Sequence, residues 1–155
     1  MPAWTIPYTV RMWFPLALAA AFLWGLHYTF SEQVFKHISV VTELAFVALA
    51  SGTVFGLFSL LSGHMKKDVA TLTAQPRVLT LLIMTAAAFI LADLLISVSI
   101  VDRNATLASI IEISYPFFVA LFSYLLFSET NMNIGAAVGA ALILSGVAVV
   151  YVFNH

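Results

Sequence analysis

Glu112 lies inside the apolar run ATLASIIEISYPFFVALFSYLLF, and Pro116 follows it by four residues. In a helix, residue i donates its N–H to the carbonyl of i−4, and proline has no N–H, so Pro116 denies the Glu112 carbonyl its usual partner. One helical turn therefore combines a titratable acid, a loosened backbone and a free acceptor. A second acid, Asp93, stands in an equally apolar setting, FILADLLISV. Two carboxylates close together in a low dielectric cannot both stay ionised cheaply, so they take up a proton or share a cation. That is the chemistry of a coupling site, because ionisable groups within a bilayer are costly and mark substrate or proton pathways. The plainer role for each acid is a hydrogen bond to a neighbouring helix.

Hydroxyls accompany both acids. Ser97 follows Asp93 by one turn, while Ser109 and Tyr115 stand three residues either side of Glu112. His27, in FLWGLHYTF, carries a ring suited to proton relay, although its place near a helix end equally fits an interfacial role. Glu112, Asp93, His27 and Tyr115 form the expected set of substrate- or proton-binding residues, with Pro116 as the helix break. Trp24 and Tyr28 read as packing or interfacial aromatics, Glu43 as an acid in the first turn of a helix, and Glu32 as solvent-facing. There is no phosphate loop, HExxH, nucleophile elbow or dinucleotide fingerprint, so no catalytic residue, metal ligand, cofactor or enzymatic activity is expected.

These residues need elements that hold them in lipid. The 155 residues are 63% hydrophobic and 8% charged, with a mean hydropathy of +1.06. So few charges cannot cover a water-facing surface, which makes this an integral membrane protein. A net charge of −1 without a basic block excludes a nucleic-acid partner, and the chain has no cysteine for disulfides or thiolate metal sites. Runs long enough to span lie near residues 12–30, 40–62, 78–101, 105–127 and 134–153, about 20 residues being needed for each. They do not alternate as barrel strands do, so the expected fold is all-α, with five transmembrane helices in a single membrane domain over 1–155. The first run is read as a retained helix, since the polar segment SEQVFKH follows it in place of a small-residue cleavage site.

Local signals mark the helix ends. Ser39, Asn104 or Asp102, and Asn133 suit N-caps, and Pro76 suits a first turn. Residues 63–77 form the longest connection, and Asp102, Arg103 and Asn104 a tight turn. Asp93 and Glu112 are equidistant in sequence from that turn, so both lie on the order of 12 to 14 Å below it at about 1.5 Å of rise per residue. Arg11, Lys66, Lys67 and Arg77 fall on one side of the membrane, and Lys36 and Arg103 on the other. That bias favours a cytoplasmic N-terminus. An odd number of helices would insert a tandem copy upside down, the construction of inverted-repeat transporters, so a lone unit requires a partner chain. Gly52 and Gly56, and Gly135, Gly139 and Gly146, allow close helix packing within the bundle or between subunits.

Three stretches, FLWGLHYTF, NATLASIIEISYPFFVALFSYLLFSET and IGAAVGAALILSGVAVVYV, resemble the EamA-like repeat of the drug/metabolite transporter superfamily. Pro116 in mid-helix, Glu129 closing that helix, and Gly139 and Gly146 in the last helix carry the match. The resemblance spans nearly the whole chain as a single repeat, whereas typical members carry two in tandem. It implies one half of an inverted-repeat transporter fold, and export or exchange of small organic metabolites through a central cavity. Glu112 and Asp93 depart from the apolar or small residues usual in that family, so their role follows from their chemistry and not from the resemblance. The expectation is thus a secondary transporter, proton-coupled or exchanging, in the cell membrane of a prokaryote. It would work in the bilayer as a homodimer or with a related five-helix chain, on a small-molecule substrate. The competing readings are a non-transporting accessory or assembly subunit of a larger membrane complex, and a lipid-related carrier whose cavity opens sideways.

Overall fold

The computed structural model describes residues 12–130 and 132–154. Seven helices follow one another: α1 (Trp13–Val34), α2 (Val40–Leu61), α3 (His64–Ala74), α4 (Pro76–Asp102), α5 (Ala105–Glu112), α6 (Tyr115–Phe127) and α7 (Ile134–Phe153). There is no strand among the described residues. Five stretches are long and apolar enough to cross a membrane: α1, α2, α4, α5 continued by α6, and α7.

The caps have the chemistry their residue types allow. Ser39 Oγ accepts from the Thr42 N–H at 3.3 Å, Asn104 Oδ1 from Leu107 at 2.8 Å and Asn133 Oδ1 from Ala136 at 2.8 Å. Pro76 is the first residue of α4, where its missing N–H costs nothing. Ser128, with φ 57, ends α6 in the left-handed region, and the Glu129 N–H reaches back to the Ser123 carbonyl at 3.2 Å. The Ser128 N–H bonds the Tyr124 carbonyl at 2.9 Å, the five-to-one bond of an αL ending in which serine takes the position glycine usually fills.

Two features go beyond the sequence reading. The connection after α2 contains α3, whose polar HMKKD start and later Val69 and Leu72 give it the two-faced character of an interfacial helix. The span holding Glu112 is broken into two helices at Ile113 and Ser114. Pro116, second in α6, cannot donate to the Glu112 carbonyl, and the chain tightens around the break. Ser114 N–H bonds Ile111 O at 3.2 Å, and Phe117 N–H bonds Ser114 O at 3.1 Å, both over three residues in place of four. Glu112 therefore ends α5 and Tyr115 begins α6.

Most large apolar side chains along the spans are exposed, as expected where the surrounding solvent is hydrocarbon. The buried hydrophobic residues are Tyr28, Ile100, Ala105 and Ala108. They sit where α1, the end of α4 and the start of α5 meet, so the tightest packing lies at the turn end of the α4–α5 hairpin. α5 packs against α1, α4 and α7, and α2 against α3 and α4. Alanine at 105 and 108 lets α5 approach its neighbours closely, the usual route to helix association in lipid.

Candidate functional site

The hairpin brings Asp93 on α4 and Glu112 on α5 to one cavity of about 840 Å³, lined by α1, α4, α5 and α7 with Tyr115 of α6 at its wall. Trp24, Tyr28, Phe89 and Tyr115 supply aromatic surface to it. The Tyr28 hydroxyl donates to both oxygens of Glu112, with Oη at 2.7 Å from Oε2 and 2.9 Å from Oε1. One proton thus bridges the two oxygens of the carboxyl group and ties α1 to the end of α5. Asp93 lines the same cavity and makes no hydrogen bond among the described residues.

Of the residues expected to bind substrate or proton, Glu112, Asp93 and Tyr115 line this cavity and His27 does not. His27 is half-buried beside it, its ring 5.4 Å from that of Trp24 and 5.6 Å from that of Tyr28. Gly146 is on the cavity wall. A Cβ at Gly139 or Gly146 would meet nothing within 4 Å, and one at Gly135 would meet only Asn133 Oδ1, at 3.4 Å. No close approach of helices within this chain depends on these three glycines.

Three residues have partners that their sequence setting did not reveal. Tyr28, read as packing, is the hydrogen-bond donor to Glu112. Glu32, expected to face solvent, accepts the Ala105 N–H through Oε2 at 3.0 Å. With Asn104 it satisfies free N–H groups at the start of α5, where the helix field favours a carboxylate. Glu43, placed in the first turn of α2, is buried at 7% exposure. Its Oε1 accepts from Ser31 Oγ at 2.8 Å, while Oε2 has no hydrogen-bond partner among the described residues. The available signal was the spacing of Tyr28, Ser31 and Glu32 at i, i+3 and i+4, a polar stripe on one face of an otherwise apolar α1.

The cavity is bounded by the mid-span break that Pro116 imposes, and its walls draw on α4 and on the helices whose motifs carried the resemblance. Residues 11–152 match the EamA-like transporter family. The chain belongs to that family. Through it the chain is part of the drug/metabolite transporter superfamily, whose EamA-like members are membrane transporters and not enzymes. The EamA-like match covers all five spans. No curated protein and no solved structure matches the chain.

Proposed function

We propose that this EamA-like chain is a secondary transporter of small organic metabolites, with Glu112 and Asp93 as the groups that bind the coupling proton or a substrate amine. The observation that carries the reading is the cavity itself. Its volume of about 840 Å³ suits a small organic molecule, and two carboxylates from different helices converge on it amid aromatic surface. A subunit that served only to pack against other helices could use Glu112 as the acceptor for Tyr28, but has no need of a second acid, Asp93, on the same cavity wall. The break at Ile113 and Ser114 places Glu112 at a helix end, where a change of backbone angle moves the carboxyl group without unwinding a whole helix.

The working unit is a dimer of five-helix chains, one chain supplying one half of the inverted pair, in the cell membrane with the N-terminus cytoplasmic. Gly139 is open to such a contact, since a Cβ there would meet nothing within 4 Å among the described residues. Reconstitution into liposomes tests the proposal: a flux driven by a pH gradient is expected, and Glu112→Gln should abolish it. Undiminished flux in that variant would remove Glu112 from the coupling step. Absence of flux for a broad substrate panel would favour the accessory-subunit reading.

A further inference from the structure

Resting on that reading, we infer that the substrate is an organic amine with an apolar, aromatic-compatible body, whose ammonium group displaces the Tyr28 hydroxyl from Glu112. The cavity wall sets the charge. Two carboxylates line it, and among the described residues no lysine or arginine does. An anionic ligand would meet two acids with no cation to offset them. A neutral ligand would bring no positive charge to either acid. An ammonium ion is complementary to both: its N–H groups are donors only, and the carboxylates are the acceptors they require.

Geometry sets the rest of the ligand. Trp24, Tyr28, Phe89 and Tyr115 surround the acids with ring surface, and a cation is attracted to ring faces within about 6 Å. Apolar atoms make up most of the remaining wall, as Ile96, Ile143 and Val147 indicate. The volume of about 840 Å³ exceeds what a bare ammonium or methylammonium ion needs, so the body of the ligand, not only its charge, has room to be bound.

Tyr28 acts as a stand-in for the ligand. Its single O–H spans both oxygens of Glu112 at 2.7 and 2.9 Å, and so occupies the positions an ammonium would take. An ammonium brings a full positive charge to the carboxylate in addition to its hydrogen bonds, which a phenol O–H does not. The amine therefore wins the exchange, while water or an alcohol does not. Glu112 and Asp93 are the groups that touch the ligand. Tyr28 is a specificity-determining residue that keeps Glu112 bonded when no amine is present.

Calorimetric titration of the purified full chain in nanodiscs tests this, with empty nanodiscs subtracted to remove partition into lipid. The probes are 1-naphthylmethylamine, 1-naphthylacetate and 2-(1-naphthyl)ethanol, which share one aromatic body and differ in charge. Saturable binding of the amine alone is expected, weakened at least tenfold by Glu112→Gln. Tyr28→Phe should bind the amine about tenfold more tightly, because the competing hydroxyl is gone while the ring remains. A gain of affinity cannot come from misfolding, so this variant guards against a Glu112→Gln protein that fails to fold. Preferred binding of the acid or the alcohol, no saturable amine binding, or weaker amine binding by Tyr28→Phe would overturn the inference. The two readings fail separately. Flux of another substrate without amine binding leaves a transporter of different specificity, whereas amine binding without any flux sinks transport but not the site.

Discussion

At the scale of single residues, α1 works as a rack of polar groups. Tyr28, Ser31 and Glu32 lie within about one turn, and each bonds a different partner: Glu112, Glu43 and the Ala105 amide. The Ser31–Glu43 contact is the most buried, with Ser31 at 4% exposure and Oε2 of Glu43 unpaired among the described residues. Ser31→Ala would remove the donor to Glu43 and should destabilise the protein by about 1–3 kcal/mol, the cost of an unsatisfied buried acceptor. Glu43→Gln keeps an oxygen for Ser31 and loses the ionisable group, so its cost should stay within about 1 kcal/mol. Thermal unfolding of both variants in one detergent checks the order, and a costlier Glu43→Gln would mean that the carboxylate itself is required. Glu112 and Asp93 were conspicuous in the sequence because acids are rare in apolar runs. Tyr28, Glu32 and Glu43 were not, since a tyrosine or glutamate near a helix end has an ordinary explanation until its partner, on a remote segment, is known.

At the scale of elements, the ends of the helices follow from local chemistry and the interruption within a span follows from Pro116. Asn104 and Asn133 cap the helices that their position in the sequence predicts. The division of the fourth span is local too, yet its site, Ile113 and Ser114, precedes the proline by two to three residues because the ring excludes the carbonyl one turn earlier. The ending of α6 is less favourable than it could be, with Ser128 held at φ 57. Ser128→Gly should stabilise the chain by about 1 kcal/mol, since glycine enters the left-handed region without steric cost. An unchanged or lowered unfolding temperature in that variant would show that the serine hydroxyl compensates for the backbone. α3 was read only as a connection because its 11 residues are too short and too polar to span, and an interfacial helix leaves no strong periodic run.

For the whole molecule, the five spans leave apolar surface on nearly every helix, as suits surroundings of hydrocarbon. The chain has no native cysteine, so a single Lys66→Cys on α3 reports its side of the membrane without background. Labelling by an impermeant maleimide is expected from the cytoplasmic side only, as the four-to-two distribution of basic residues favours. Labelling from both sides would establish dual topology and allow an inverted homodimer. One-sided labelling would direct the search for the other half of the pair to a related chain of opposite bias.

Composition and run length were enough to determine the membrane class, the five spans and their caps. These depend on transfer to hydrocarbon and on hydrogen bonds between residues three or four apart, both legible along the chain. The EamA-like resemblance was likewise carried by linear motifs, and the hairpin arithmetic placed Asp93 and Glu112 at one depth. What only the tertiary structure decided is which side chains meet. It brought both acids to a common cavity, left His27 beside it, and paired Tyr28 with Glu112 across 84 residues. Such pairing depends on the rotation of each helix about its own axis. In a bilayer, where apolar side chains are equally at home facing lipid or protein, the hydrophobic pattern of the sequence does not specify that rotation.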